Sequence, residues 1–75
     1  MYLVIEIQKS EDGKIAYLVT THGTRPEADS KYHLILSSAA VSGLPCHSAI
    51  ILREDATPCD WKSYSKQTAP EPNEE

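Results

Sequence analysis

One stretch of this chain, residues 24–43, has helix signals at both of its ends and constrains the fold more than any other. Thr24 and Glu27 form a T-x-x-E capping box, in which the threonine hydroxyl accepts from the amide of Glu27 and the glutamate reaches back to the amide of Thr24. Pro26 lies in the first turn, where a missing N–H costs nothing. Gly43 is expected to take the left-handed conformation that ends many helices. The sequence therefore predicts a helix between these residues.

Apolar residues recur along this helix with the spacing of a single face that can pack against a sheet. The face consists of Ala28, Tyr32, Ile35, Leu36 and Ala39. Leu34 and Val41 lie roughly opposite that face. They are either two scattered exposed residues or part of a contact with another chain.

The segments around the helix have the β-branched and aromatic composition of strands. We predict three strands, at residues 2–8, 14–20 and 46–53, and allow a short fourth strand near residues 60–65. If the helix connects the second and third strands and these two strands run parallel, the first strand fits between them, antiparallel to both. The expected fold is α+β, with order β-β-α-β and sheet order 2-1-3.

The alternation within the strands predicts which residues the helix covers. Leu3, Ile5 and Ile7 share one side of the first strand and are expected to lie under the helix. The other sheet face is then left to be covered by the C-terminal Trp61 and Tyr64 or by a second subunit. That face is expected to hold Tyr2, Val4, Tyr17, Val19 and Ile51.

The charge distribution argues against several classes of partner. The net charge is −4, but all seven lysines and arginines and only eight of the eleven acidic residues lie in residues 1–68. We therefore expect one domain over residues 1–65 and a disordered acidic tail over residues 66–75. A nearly balanced domain without a basic cluster argues against nucleic acid and against anionic membranes.

No stretch has the length of a secretory or transmembrane segment, so we expect a cytoplasmic protein.

Residue types used in catalysis and metal binding are present but are not arranged in a known pattern. Cys46 and His47 are adjacent, so their side chains point to opposite faces of a strand and do not form a close ligand pair. Cys46 and Cys59 are expected to be reduced thiols, with a disulfide as the less common alternative. A Cys–His nucleophile with His22 or His33 remains open, although so short a chain has little room for a pocket. We predict no metal, no cofactor and no enzymatic activity.

The opening YLVIEIQ, the DGK turn and the core EADSKYHLILSSAAVSGLPCHSAIIL resemble a family of short uncharacterised proteins of gut bacteria and their prophages. The resemblance covers most of residues 2–64. It implies a small α+β domain, a possible phage origin and a non-enzymatic role, and it assigns no functional residue.

We therefore hypothesise a small interaction module that forms a homodimer or binds another protein. The candidate surface consists of Tyr17, Val19, Leu34, Val41, Trp61 and Tyr64. An alternative is an accessory regulator of nucleic-acid metabolism carried by a mobile element. A third hypothesis is a minor enzyme or metal protein that uses Cys46 or Cys59.

Overall fold

The computed structural model describes residues 1–65, so the predicted acidic tail lies outside the described residues. One helix packs on a single four-stranded antiparallel sheet with strand order β2-β1-β3-β4. The elements, in chain order, are β1 (Tyr2–Lys9), β2 (Ile15–His22), α1 (Arg25–Ala40), β3 (Cys46–Arg53) and β4 (Pro58–Ser65). The predicted α+β fold, the central place of β1 and the fourth strand are confirmed. The fourth strand is longer than predicted and forms a complete sheet edge.

The hairpin between β1 and β2 turns at Gly13, whose φ of 88° lies in the region that glycine adopts most easily. The Gly13 amide donates to the Ser10 carbonyl at 2.9 Å, and the Ser10 amide donates to the Lys14 carbonyl at 2.9 Å. The Asp12 carboxylate accepts from the Lys14 amide at 3.1 Å and from the Ser10 hydroxyl. These bonds hold β1 and β2 in a continuous register from the turn to the N-terminus.

The helix begins as predicted and ends differently. Thr24 is the N-cap in an extended conformation, and its hydroxyl accepts from the Glu27 amide at 3.4 Å. The helix ends at Ala40, and Gly43 does not have a positive φ, so the predicted left-handed glycine stop is wrong. The last turn instead tightens, with the Val41 amide donating to the Ser38 carbonyl at 3.2 Å.

The core lies between the helix and the middle two strands. Val4 pairs with Ile51, and both are almost completely buried, with exposed fractions of 1% and 0%. The predicted apolar face of the helix packs on them, and Leu36 is only partly buried. The other buried apolar residues are Ala28, Tyr32, Ile35, Ala39 and Ala49. Alanines on both sides of the contact let the helix approach the sheet closely.

The predicted assignment of the sheet faces is wrong. The helix covers the side of β1 that carries Tyr2 and Val4, whereas Leu3, Ile5 and Ile7 lie on the opposite side. Because side chains alternate along a strand, a shift by one residue exchanges the two faces completely. The predicted grouping of Tyr17 and Val19 with Val4 and Ile51 is wrong for the same reason. In the observed register Val19 pairs with Ile5 and Tyr17 with Ile7.

The edge strand β4 joins the sheet through an irregular turn. Ala56 has a φ of 74°, which is unfavourable for a residue with a β-carbon, and its amide donates to the Arg53 carbonyl at 2.8 Å. A register shift at Ile51/Leu52 places an extra residue, Cys59, in β4. Cys59 packs against the core from this edge.

Candidate interaction surface

The helix-free side of the sheet, which we call the open face, carries apolar side chains from all four strands. Its members follow from the register, in which they all lie on the side opposite Val4. They are Leu3, Ile5, Ile7, Ile15, Tyr17, Val19, Ile50, Leu52 and Trp61. No element among residues 1–65 lies over this face. A contiguous apolar surface of this kind marks an interaction site far more often than scattered apolar residues do.

Exposure on the open face is greatest at the two edge strands. Tyr17 and Ile15 on β2 are 73% and 63% exposed, and Trp61 on β4 is 67% exposed. The residues of the central strands β1 and β3 are half-buried, because their neighbours on the edge strands shield them from the side. The open face is therefore rimmed by protruding large side chains.

A groove of about 260 Å³ lies on the open face beside Trp61. Ile7 and Ile50 line it from the central strands, and the small residues Ser48 and Ser63 line it on β3 and β4. The two serines pair with each other across the strands, so they form a low region in an otherwise bulky surface.

The six residues predicted as an interaction surface lie on three different parts of the molecule. Tyr17, Val19 and Trp61 are on the open face. Leu34, on the helix away from its buried stripe, is 63% exposed, and Val41, directly after the helix, is 86% exposed. Tyr64, the sixth, pairs with His47 on the helix side of the sheet and is partly buried there.

A buried polar cluster lies on the helix side, where β1 meets β3. The Nε2 of His47, a residue with only 4% exposure, donates to a carboxylate oxygen of Glu6 at 2.7 Å. The side-chain amide of Gln8 donates to the same oxygen at 2.9 Å. Nδ1 of His47 has no hydrogen-bond partner within residues 1–65. The cluster ties the two central strands together at the polar end of the core.

The electrostatic balance in this cluster favours an ionised Glu6. Burial opposes ionisation of its carboxyl group, but the hydrogen bonds from His47 and Gln8 outweigh that effect and lower the pKa of Glu6. The nearby charges of His47 and Lys31 act in the same direction. Residues of two strands thus hold the carboxylate by hydrogen bonds, and the charge of Lys31 on the helix favours its ionised form.

The two cysteines are free and lie at opposite ends of the sheet. The Sγ of Cys46 is 3.5 Å from the hydroxyl of Ser63, while Cys59 packs on the core near the Leu52 end of β3. Within residues 1–65 no cluster of three or more His, Cys, Asp or Glu side chains has the geometry to hold a metal ion. The one helix among these residues is neither long enough nor apolar enough to cross a membrane.

The sequence interpretation missed six members of the open face, namely Leu3, Ile5, Ile7, Ile15, Ile50 and Leu52. The side of β1 with Glu6 and Gln8 is less apolar than the side with Leu3, Ile5 and Ile7, so the sequence pattern favours the wrong side as the one beneath the helix. His47 on β3 was the available signal, because a histidine on an apolar strand indicates buried polar partners on the neighbouring strand.

Comparisons of the chain with protein-family models, curated proteins and solved structures found no match.

Proposed function

We propose that this protein is a non-enzymatic protein–protein interaction module that associates with a second copy of itself through the open face. The observation that carries the proposal is the uncovered apolar surface contributed by all four strands. An antiparallel sheet with one covered face normally alternates apolar and polar residues. Here β1 carries apolar residues on both sides, with Tyr2 and Val4 beneath the helix and Leu3, Ile5 and Ile7 on the open face, where polar residues would be expected.

The composition of residues 66–75 is poorly suited to covering this face. Residues 66–75, KQTAPEPNEE, contain no aliphatic side chain larger than alanine and no aromatic one. A second copy, by contrast, presents an apolar surface of identical extent. In a dimer with a twofold axis, the commonest homo-oligomer, the same patch of each copy meets its counterpart.

The dimensions of the open face fit a modest interface. Four strands of eight residues cover about 26 Å by 19 Å, or roughly 500 Å² in projection. The accessible surface follows the protruding side chains and is larger than this projection. Specific interfaces use about 800 Å² per partner, so the dimer is expected to dissociate upon dilution.

The proposed module acts in the cytoplasm, and its resemblance to proteins of gut bacteria and their prophages suggests an origin on a mobile element. The accessory nucleic-acid role has weaker support, because six lysines and arginines face eight acidic residues in residues 1–65. Lys9 is the single basic residue of the four strands on the open side, where it lies at the margin.

Sedimentation velocity across micromolar concentrations tests the proposal. The unmodified chain is expected to shift from monomer to dimer as its concentration rises. Val19→Lys buries a charge in the proposed interface and should abolish the shift. Leu34→Lys is the matched control, since it changes an exposed apolar residue on the helix and should leave the shift intact.

A chain that remains monomeric at every concentration would refute self-association. If Leu34→Lys weakened the dimer as much as Val19→Lys does, the interface would include the helix. Salt-sensitive binding of DNA by the monomer at low ionic strength would instead favour the accessory nucleic-acid role.

A further inference from the structure

The two edge strands of the sheet differ in how well they are protected against pairing with a further strand. Edge strands of natural proteins usually carry charged residues, prolines or bulges that block such pairing. These features are present in β4, which contains Pro58, Asp60 and Lys62 and has the register shift beside Leu52. In contrast, the eight residues of β2, IAYLVTTH, include no Pro, Asp, Glu, Lys or Arg, and its register with β1 is unbroken. The edge to which a strand can be added is therefore β2.

The outer side of β2 presents backbone groups that have no partner strand among residues 1–65. Within these residues β2 pairs with β1 alone, and every second residue of an edge strand directs its N–H and C=O groups away from the neighbouring strand. The side chains of β2 are exposed on both faces of the sheet. Leu18, on the helix side, is 56% exposed, and Tyr17, on the open face, is 73% exposed. An added strand would therefore form backbone hydrogen bonds and also cover apolar side chains on both faces.

On the basis of the proposed self-association, we infer that β2 pairs edge to edge, in antiparallel orientation, with the β2 of a second copy. Because β2 contains no Asp, Glu, Lys or Arg, two copies of it lie side by side without like charges facing each other. The twofold axis of such a pair is perpendicular to the sheet, so both helices lie on one side and both open faces on the other. The pairing uses the same edge of both copies and leaves only the protected β4 edges outside, so it closes as a dimer.

Edge pairing enlarges the open face to the size that a specific interface requires. One copy presents roughly 500 Å² in projection, and two copies joined through β2 present about 1,000 Å² on one continuous face of eight strands. Specific interfaces use about 800 Å² per partner. Two such sheets that associate through their open faces form a tetramer, one of the common symmetric assemblies. The edge contact thus gives the proposed module a face of sufficient area for a stable assembly.

Amide hydrogen exchange, followed by NMR at low and high protein concentration, tests the edge pairing. The β2 amides that point away from β1 should exchange quickly in the monomer and at least about tenfold more slowly once the chain associates. Contact through the open face alone leaves these amides without backbone partners, so they would continue to exchange quickly. The amides of β1, which lies between two strands, report whether the fold is intact at each concentration.

Sedimentation of three variants separates the edge contact from the open-face contact. Ala16→Lys combined with Leu18→Lys places charges on the helix side of β2 and should weaken the edge pairing at least about tenfold, because like charges then lie close together across the pair. Ala16→Gln combined with Leu18→Gln is the matched control, with long uncharged side chains at the same exposed positions, and should retain the pairing. Trp61→Lys places a charge on the open face of the opposite edge strand and should leave an edge-paired dimer.

The outcomes distinguish the edge pairing from the association through the open face. A tetramer whose outward β2 amides are protected, with that protection lost in the double lysine variant, supports both. A dimer whose outward β2 amides stay unprotected refutes the edge pairing and leaves the open-face module in place. A dimer that the double lysine variant abolishes and Trp61→Lys leaves unchanged supports the edge pairing and refutes the open-face contact. A chain that is monomeric at every concentration refutes both, and protected β2 amides in that monomer would place another segment of the chain on the edge.

Discussion

Truncation of two valines on neighbouring strands is the sharpest check on which face of the sheet is the core. Val4 and Val19 have the same side chain, yet Val4 is 1% exposed beneath the helix and Val19 is 43% exposed on the open face. Sequence alternation alone placed both on the uncovered face and therefore predicts equal effects. The structure predicts that Val4→Ala is much more costly than Val19→Ala.

The expected magnitudes follow from burial. Removing the equivalent of two methylene groups from Val4 loses about 1.6 kcal/mol of transfer free energy. Incomplete collapse of the cavity between Val4, Ile51 and the helix adds to this, so Val4→Ala should lower the free energy of unfolding by about 2 to 3 kcal/mol. Val19→Ala, in the monomer, should lower it by about 1 kcal/mol or less, because the side chain is partly solvated in the folded state.

Urea unfolding followed by far-ultraviolet circular dichroism measures both variants. The protein concentration must be low enough to keep the chain monomeric, since dimerisation would add stability that depends on Val19. Equal losses from the two variants, or a larger loss from Val19→Ala, would refute the assignment of the core. If Val4→Ala fails to fold, Ile51→Val provides the smaller step, with an expected loss of about 0.5 to 1.5 kcal/mol.

Three further changes test other parts of the molecule by the same unfolding assay. Thr24→Ala removes the helix cap and should cost about 1 kcal/mol; an unchanged midpoint would argue against the cap. Ala56→Gly should raise the free energy of unfolding by up to about 1 kcal/mol, because it relieves a positive φ; a loss would contradict that conformation. Burial opposes ionisation of Glu6, but its hydrogen bonds outweigh this effect and lower the pKa of Glu6 below 4.5. The ionised carboxylate therefore stabilises the fold above pH 4.5. This stabilisation is lost as the pH falls through the lowered pKa. The stability advantage of the native chain over Glu6→Gln should therefore shrink below pH 4.5, and a pH-independent difference would disprove the carboxylate contribution.

Local signals were sufficient for the helix start and insufficient for its end. The cap at Thr24 depends on a hydroxyl and an amide three residues apart, and such a contact can be recognised in the sequence. The end depends on how the chain leaves toward β3. There the Val41 and Ser42 amides donate to the Ser38 and Ala39 carbonyls, so no left-handed glycine is required.

The sheet order followed from topology, but the face of β1 that meets the helix did not. The partner that makes Glu6 acceptable in the interior is His47, 41 residues away in the sequence. A carboxylate on a strand is normally solvated, so Glu6 gives no sign in the sequence that its side of β1 lies beneath the helix. Only the register between β1 and β3 reveals that these polar groups bond to one another beneath the helix.

The ambiguity that defeated the face assignment is itself a physical property of the molecule. A strand with one apolar side can turn only that side towards the helix. In contrast, β1 carries Val4 on one side and Leu3, Ile5 and Ile7 on the other. The single helix covers one face of the sheet, and residues 1–65 contain no further helix or sheet to cover the other face. Since large contiguous apolar surfaces are rarely left in water, the feature that makes the orientation hard to predict is the feature that favours association.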